Sequence, residues 1–211
     1  MVSKHLLNAV VENSQIKNGN VVSANFIKYG QINGDFYKPL ILYALNTTPR
    51  VSETLLNKQI NSDGSPALSA YKIEKEFFYD ENGNVLSIKD KDDVFTTYLW
   101  GYYDSYPIVE FKNATKEKVD EALQQTDLAF EPYKYIPEAY LESFSELAKY
   151  LPQAKISVYV HIPLVGIKTF CDPAGILTYY KYDELGRLSE VKDMYGKVME
   201  KYTYHYVKIK E

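Results

Sequence analysis

Three aspartates, each followed three residues later by a glycine, divide the C-terminal part of this chain at nearly equal intervals. They form the segments Asp172–Gly175, Asp183–Gly186 and Asp193–Gly196, spaced 11 and then 10 residues apart. An aspartate that opens a tight turn accepts hydrogen bonds from backbone N–H groups further round it, and glycine supplies the positive φ of a bulged return. Each interval leaves about six residues of strand, which is an ordinary length. The spacing therefore predicts a β-meander.

The same pattern occurs earlier in the chain. Tyr71–Tyr79 alternates like a strand and is followed by the turn segment Asp80–Gly83. Ten residues after Asp80, Asp90–Asp93 stands in the place of a second turn, with Asp93 where the glycine would be. Aspartate tolerates left-handed geometry better than most residues. We therefore define two repeat blocks, Tyr71–Tyr102 and Gly166–Tyr206.

Asn-Gly pairs predict further hairpins before the first block. Asn18-Gly19 and Asn33-Gly34 each separate two strand-like runs. Pro39 places its strand at a sheet edge or gives it a bulge. The polar stretch Asn57–Ala70 is interpreted as an exposed loop.

The period changes to a helical one between the repeat blocks. Thr115–Gln125 places apolar residues on one face, with Asn113 or Thr115 as its cap. A second helix is predicted from Pro137 to Leu151. The predicted fold is mainly β, an antiparallel meander with two inserted α-helices. We interpret 1–211 as a single β-rich domain, comprising N-terminal hairpins and the first block (1–112), a helical insertion (113–152) and the C-terminal block (153–211).

Bulk properties exclude several classes of protein. The net charge is −4, and both signs are interspersed, so nothing indicates a nucleic-acid-binding surface. No apolar run reaches membrane-spanning length, which argues against membrane insertion. The amino terminus lacks the pattern of a signal peptide, so the chain is either cytoplasmic or a processed piece of a longer protein. Cys171 is the only cysteine, which excludes an internal disulfide.

Two segments carry a family resemblance. YDENGNV at Tyr79–Val85 and YDELGRL at Tyr182–Leu188 resemble the tyrosine-aspartate motif of the RHS/YD-repeat family, the first with Asn84 in place of the arginine. The C-terminal region further resembles that of large exported bacterial YD-repeat proteins. The resemblance implies extended hairpins in a scaffold at the cell surface or envelope, with carbohydrate or protein binding. It also implies that the chain is the C-terminal segment of a larger exported protein.

Catalysis and metal binding find little support in the sequence. His5, His161 and His205 each lie in strand-like runs and no nucleophile elbow is present, so we assign no catalytic residue and no cofactor. The alternative is a small hydrolase or polymorphic-toxin remnant that pairs His161 or His205 with an acid. A calcium site is the sharpest metal hypothesis, with Asp80, Asn82 and Asn84 at alternate positions and Asp90, Asp92 and Asp93 on the next turn. The spacing fails the EF-hand pattern, and turn chemistry explains these residues, so no metal ligand is assigned.

A cluster of aromatic residues is the candidate ligand-binding site. Its members are Trp100, Tyr102, Tyr103 and Tyr106, which lie around Gly101 and before Pro107. An exposed ring can stack on the apolar face of a sugar, while Asp104 or Asn113 would bond hydroxyl groups. The competing interpretation makes Trp100 a core residue where the helices meet the sheet. The expected partner is a glycan or another envelope protein.

The C-terminal residues predict a last strand, Tyr202–Ile209. Its alternation directs Tyr202, Tyr204 and Tyr206 to one face and Thr203, His205, Val207 and Ile209 to the other. Two semi-apolar faces indicate a strand that is covered on both sides.

Overall fold

The computed structural model describes residues 9–34, 36–56, 60–126, 141, 144 and 146–205. This part of the chain contains twelve β-strands and one α-helix, and the strands pair antiparallel in chain order. The predicted antiparallel meander is therefore confirmed. The chain divides into two compact units, Met1–Thr96 and Thr97–Glu211. The interpretation of 1–211 as one domain stays a prediction.

The first unit is built from hairpins with short turns. Its strands are β1 (Glu12–Lys17), β2 (Asn20–Ile32), β3 (Phe36–Leu45), β4 (Tyr71–Tyr79) and β5 (Val85–Asp90). Asn18 and Gly19 join β1 to β2 with φ of 52° and 70°, the left-handed pair that a two-residue hairpin turn needs. Small and aromatic side chains form the core of this unit: Val21, Ala24, Phe26, Leu45, Val51 and Tyr71.

Pro39 lies at a β-bulge, as one of the two predicted alternatives stated. Lys28 pairs with Ile41 and Tyr29 with Pro39, so Leu40 is an extra residue on β3. Proline has no N–H to donate to a ladder, and a bulge removes the need for one.

The second unit carries the helix on its sheet. Its strands are β6 (Phe95–Gly101, in this unit from Thr97 onward), β7 (Tyr106–Lys112), β8 (Lys155–Ile162), β9 (Gly166–Cys171), β10 (Leu177–Tyr182), β11 (Leu188–Lys192) and β12 (Val198–Lys201). Helix α1 (Lys116–Gln125) follows β7. Fully buried apolar residues of strands and helix form one core, among them Ile108, Val109, Phe111, Val119, Phe144, Leu147 and Val160.

Helix α1 confirms the first predicted helix and shows what fixes it. The hydroxyl of Thr115 accepts a hydrogen bond from the Lys118 N–H at 3.5 Å, which caps the first turn. Val119 and Ala122 are buried against the sheet. The Thr97 hydroxyl donates to the Ala114 carbonyl at 2.7 Å, so strand β6 holds the residue that precedes the cap.

Two sequence-based expectations are only partly met. The predicted second helix falls mostly outside the described residues; Leu141, Phe144 and Glu146 are helical, and a 3-10 turn follows at Leu147–Lys149. The predicted last strand is wrong for its first half, because β12 ends at Lys201 and residues 202–205 have no regular structure. Among the described strands, only β11 lies beside these residues to hold them. The remainder of that prediction, residues 206–209, lies outside the described residues.

Five turns share one hydrogen-bonding scheme. In each, the first aspartate donates its backbone N–H to the carbonyl four residues on, and its Oδ1 accepts the N–H of that same residue. The Oδ1 to N distances are 2.7 Å from Asp80 to Asn84, 3.0 Å from Asp90 to Val94, 2.9 Å from Asp172 to Ile176, 3.0 Å from Asp183 to Arg187 and 2.9 Å from Asp193 to Lys197. The fourth residue is left-handed in every case, with φ of 80° at Gly83, 61° at Asp93, 79° at Gly175, 73° at Gly186 and 79° at Gly196.

The tyrosine before the aspartate ties its strand to the preceding one. The Tyr79 hydroxyl donates to the Pro39 carbonyl at 2.6 Å, and the Tyr182 hydroxyl to the Ile167 carbonyl at 2.8 Å. Burial raises the pKa of both phenols, as expected for rings covered by the neighbouring strand. Tyr182 also lies across Gly166, where any side chain would meet its ring.

The arginine of the second motif strengthens its own turn. Arg187 donates from Nε at 2.8 Å and from Nη2 at 2.6 Å to Asp183 Oδ2, while Asp183 Oδ1 serves the backbone. Its guanidinium carbon lies 4.1 Å from the centre of the Tyr204 ring. In the first motif the position carries Asn84, which cannot form this pair.

Exchanging the fourth turn residue tests the left-handed geometry. We expect Asp93→Gly to raise the free energy of unfolding by about 0.5–1 kcal/mol, because glycine removes the strain of a left-handed side chain. The exposed ion pair with Lys89 that is lost offsets little of this gain. Gly186→Asp should lower stability by a similar amount. Urea unfolding of both variants measures the difference, and a gain in both would contradict the assignment.

The Asp183–Arg187 pair predicts that the free energy of unfolding depends on pH in the acid range. Hydrogen bonds from Arg187 lower the pKa of Asp183 in the folded chain. The pair therefore makes its full contribution to the free energy of unfolding above the unfolded pKa of about 4. This contribution is lost as pH falls from there through the lower pKa of the folded state. Stability measured from pH 7 to pH 2 should fall less steeply in Asp183→Asn than in the wild type. Equal slopes would show that the pair contributes nothing.

Candidate functional site

The four aromatic residues of the predicted site lie around the loop that joins β6 to β7, but in different environments. Tyr103 is 78% exposed at the tip, whereas Tyr102 is buried. Trp100 and Tyr106 are half-buried on the two strands. Asp104 lies in the same loop. Asn113 lies beyond the far end of β7, where its amide donates to the Gln153 carbonyl at 3.0 Å, so it is not placed with the others.

Three consecutive non-glycine residues of this loop are left-handed. Tyr102, Tyr103 and Asp104 have φ of 53°, 58° and 58°. Each such residue costs about 1 kcal/mol, and strain of this kind persists only where the surroundings hold it. The Ser105 N–H donates to the Gly101 carbonyl at 3.0 Å and closes the loop.

Tyr102 provides the contact that holds the loop. Its hydroxyl accepts the backbone N–H of His161 at 2.8 Å and donates to the His161 carbonyl at 3.1 Å. Registered pairs between β7 and β8 run from Val109, opposite Val158, to Lys112, opposite Lys155. His161 lies outside these pairs, and the phenol satisfies its backbone N–H and C=O.

His161 is held in a buried aromatic cluster. Its Nε2 lies 2.9 Å from the Pro107 carbonyl, and because a carbonyl only accepts, Nε2 carries the proton. The imidazole stacks on Tyr106 with centroids 4.9 Å apart and meets Tyr102 edge-on at 5.7 Å. His205 is exposed outside regular structure. Neither histidine forms an ion pair with a carboxylate in the part of the chain that the structure describes.

Tyr103 stands in a row of exposed apolar turn residues, here named the turn row: Tyr103, Leu164, Val165 and Leu185. Alternate turns of a meander lie at the same end of its strands, so the β6–β7, β8–β9 and β10–β11 turns are neighbours. The Leu164 N–H donates to the Tyr106 hydroxyl at 3.0 Å, and a methyl group at Gly186 would lie 3.8 Å from Val165. Leu164 is 97% exposed and Leu185 is 68% exposed.

The aspartate carboxylates in these turns accept hydrogen bonds from the backbone of their own turn. Asp90 Oδ1 accepts the N–H groups of Asp92 and Val94 at 2.9 and 3.0 Å. Among the described residues, no three histidine, cysteine, aspartate or glutamate side chains are grouped to hold a metal ion. Burial raises the pKa of the Cys171 thiol, which makes it less reactive. No described helix is long and apolar enough to cross a membrane.

Sequence reasoning did not find the residues that hold the loop. His161 was considered for catalysis, while its contact with Tyr102 joins residues 59 positions apart. No local pattern links Tyr102 to His161, because their contact depends on how β7 pairs with β8. The left-handed run carries no signal, since tyrosine does not favour that geometry.

Comparisons with known proteins give similarities of fold at low identity. No family model matches the chain, and no curated protein matches it. The solved structure of TcdB2-TccC3-Cdc42 matches 83% of the chain at 9% identity and a TM-score of 0.41. Those of TcdB2-TccC3-TEV and of TcdB2-TccC3 without its hypervariable C-terminal region each match 87%, at 8% and 9% identity, with TM-scores of 0.43 and 0.42. The chain spans only 7–8% of the length of these proteins, and the similarities assign neither a family nor a function.

Removing one hydroxyl tests the role of Tyr102. We expect Tyr102→Phe to lower the free energy of unfolding by about 1–3 kcal/mol, because the buried His161 N–H loses its acceptor. Tyr106→Phe is the matched control. The Tyr106 hydroxyl accepts the N–H of Leu164, an exposed residue whose N–H can bind water instead. Chemical unfolding of both variants measures the difference. Equal losses would contradict the assignment.

Proposed function

We propose that this chain is a non-enzymatic scaffold and adhesion module of the YD-repeat type. The observation that carries the proposal is the left-handed loop, in which a buried Tyr102 holds an exposed Tyr103 in place. Strained backbone collects at functional sites. A hairpin turn usually gives its left-handed positions to asparagine or glycine, whereas here Tyr102, Tyr103 and Asp104 take them. A ring fixed in this way meets a ligand with little loss of conformational entropy.

The ligand we propose is a glycan that stacks on the Tyr103 ring. An exposed phenol offers an apolar face together with a hydroxyl at the ring edge. Leu164 and Leu185 lie on the neighbouring turns and add apolar surface beside it. The meander beneath acts as a rigid support, because the turns are tied to the strands by the scheme of hydrogen bonds described above.

The absence of catalysis is part of the proposal. His161 supports it, because its ring is packed between aromatic residues and its Nε2 donates to a main-chain carbonyl. A general base must reach a substrate, and His161 is only 8% exposed. Tyr103, at the tip of the loop, is 78% exposed, which suits stacking on a ligand rather than enclosing it in a pocket.

A glycan array with two tyrosine variants tests the adhesive contact. We expect the wild type to bind at least one class of glycan and Tyr103→Ala to lose about tenfold or more. Tyr195→Ala is the matched control, since Tyr195 is 86% exposed on an ordinary Asp193–Gly196 turn. Absence of binding by the wild type, or equal loss in both variants, would overturn the proposal.

We further propose that the module belongs to the outer surface of a cell, as the C-terminal segment of a larger exported polypeptide. The resemblance of the two YD motifs supports this placement. Antibody labelling of intact and permeabilised cells tests it. Signal that requires permeabilisation would reject the location without affecting the glycan assay.

A further inference from the structure

Strand β12 leaves an open edge at the end of the meander. The Tyr202 N–H donates to the Ser189 carbonyl at 2.9 Å, and Glu190 pairs with Lys201. Backbone groups of an antiparallel strand face alternate sides, so the N–H and C=O of Lys201 point away from β11. Among the described residues, no strand lies beyond β12.

A ladder of alternating charge ends at this edge. Lys181, Glu190 and Lys201 stand opposite one another on β10, β11 and β12. The Nζ atoms of Lys181 and Lys201 lie 3.9 and 3.8 Å from the Glu190 carboxylate, and Lys192 Nζ lies at 3.2 Å. The three ammonium groups lower the pKa of Glu190. One carboxylate therefore faces three lysines, and the last position in the ladder is positive.

The opposite face carries Glu200 and, beyond the end of β12, the exposed rings of Tyr202 and Tyr204. Tyr202 and Tyr204 are each 41% exposed, whereas Val191, on the neighbouring interior strand, is buried. The Tyr204 hydroxyl donates to the Leu188 carbonyl at 2.8 Å, the contact to the preceding strand that Tyr79 and Tyr182 also make. The tyrosine contacts of the meander thus continue past the end of β12.

We propose that the free edge of β12 binds an extended strand of another polypeptide that places a carboxylate opposite Lys201. Main-chain hydrogen bonds to Lys201 supply affinity, as in strand addition to other sheets. The carboxylate continues the alternation of Lys181, Glu190 and Lys201. An apolar residue next to that carboxylate lies opposite Tyr202 on the other face.

A second copy of the chain fits this edge less well. Antiparallel pairing of two β12 strands places a two-fold axis perpendicular to the sheet. The register with the greatest overlap of residues 198–204 then sets Lys201 opposite its own copy. Like charges directly opposite destabilise a strand pair. Charge therefore favours an acidic strand over self-association.

Fluorescence anisotropy with labelled peptides tests the proposal. The probe is acetyl-TVEVTVT-amide, and its control is the same peptide with lysine in place of glutamate. We expect the glutamate peptide to bind several-fold more tightly, and Lys201→Glu to reverse the preference. Lys181→Glu is the matched control variant, because it lies two strands inside the edge and should preserve the preference.

A backbone variant separates strand addition from simple charge attraction. Lys201→Pro removes only an outward-facing N–H from the backbone and leaves the β11 ladder intact, so it should abolish binding of both peptides. Its thermal unfolding midpoint, compared with that of Lys201→Gln, shows that the fold survives. Equal binding of the two peptides, or binding that survives the proline, would overturn the proposal. Self-association of the free protein without peptide binding would overturn it in favour of a second copy. Tyr103→Ala should bind the peptide normally, so failure here is distinct from failure of the glycan site.

Discussion

One carboxylate oxygen that accepts a backbone N–H across a turn is the interaction on which this structure depends. It recurs at Asp80, Asp90, Asp172, Asp183 and Asp193, each time with the carbonyl of the same distant residue bonded to the aspartate N–H. The aspartate side chain thus accepts a backbone N–H that would otherwise need a main-chain carbonyl. Because the hydrogen bonds of each such turn lie within five residues, the turn itself sets the register of its hairpin.

The strands that these turns connect differ in how deeply they are buried. Val160 and Ile108 are fully buried in the core that includes Val119 and Ala122 of α1, while β12 is exposed along its length. The gradient in burial follows from coverage, because the buried strand residues of this core come from β6 to β9. Apolar residues near the end of the meander, such as Met199, remain in contact with solvent.

The sequence predicted what is local and missed what is distant. The turns were predictable because aspartate and glycine act within four residues, and α1 because its cap and apolar stripe lie within one segment. The end of β12 at Lys201 was not, because alternation alone continued past it. Tyr102 was grouped with its sequence neighbours as a ligand-binding residue, although its partner is the backbone of His161. His161 lies outside the registered pairs of β7 and β8, and only the fold reveals which side chain bonds its backbone.

The closure of the five aspartate turns within their own few residues has a consequence for how such chains can change. A unit that folds back without help from its neighbours can be copied or deleted as a block, because the junctions at either side are equivalent. Asp93 shows that one of these turns keeps its geometry with a residue other than glycine at the left-handed position. A change in the number of hairpins would therefore require no new turn chemistry, and it would lengthen or shorten the sheet by whole ribbons.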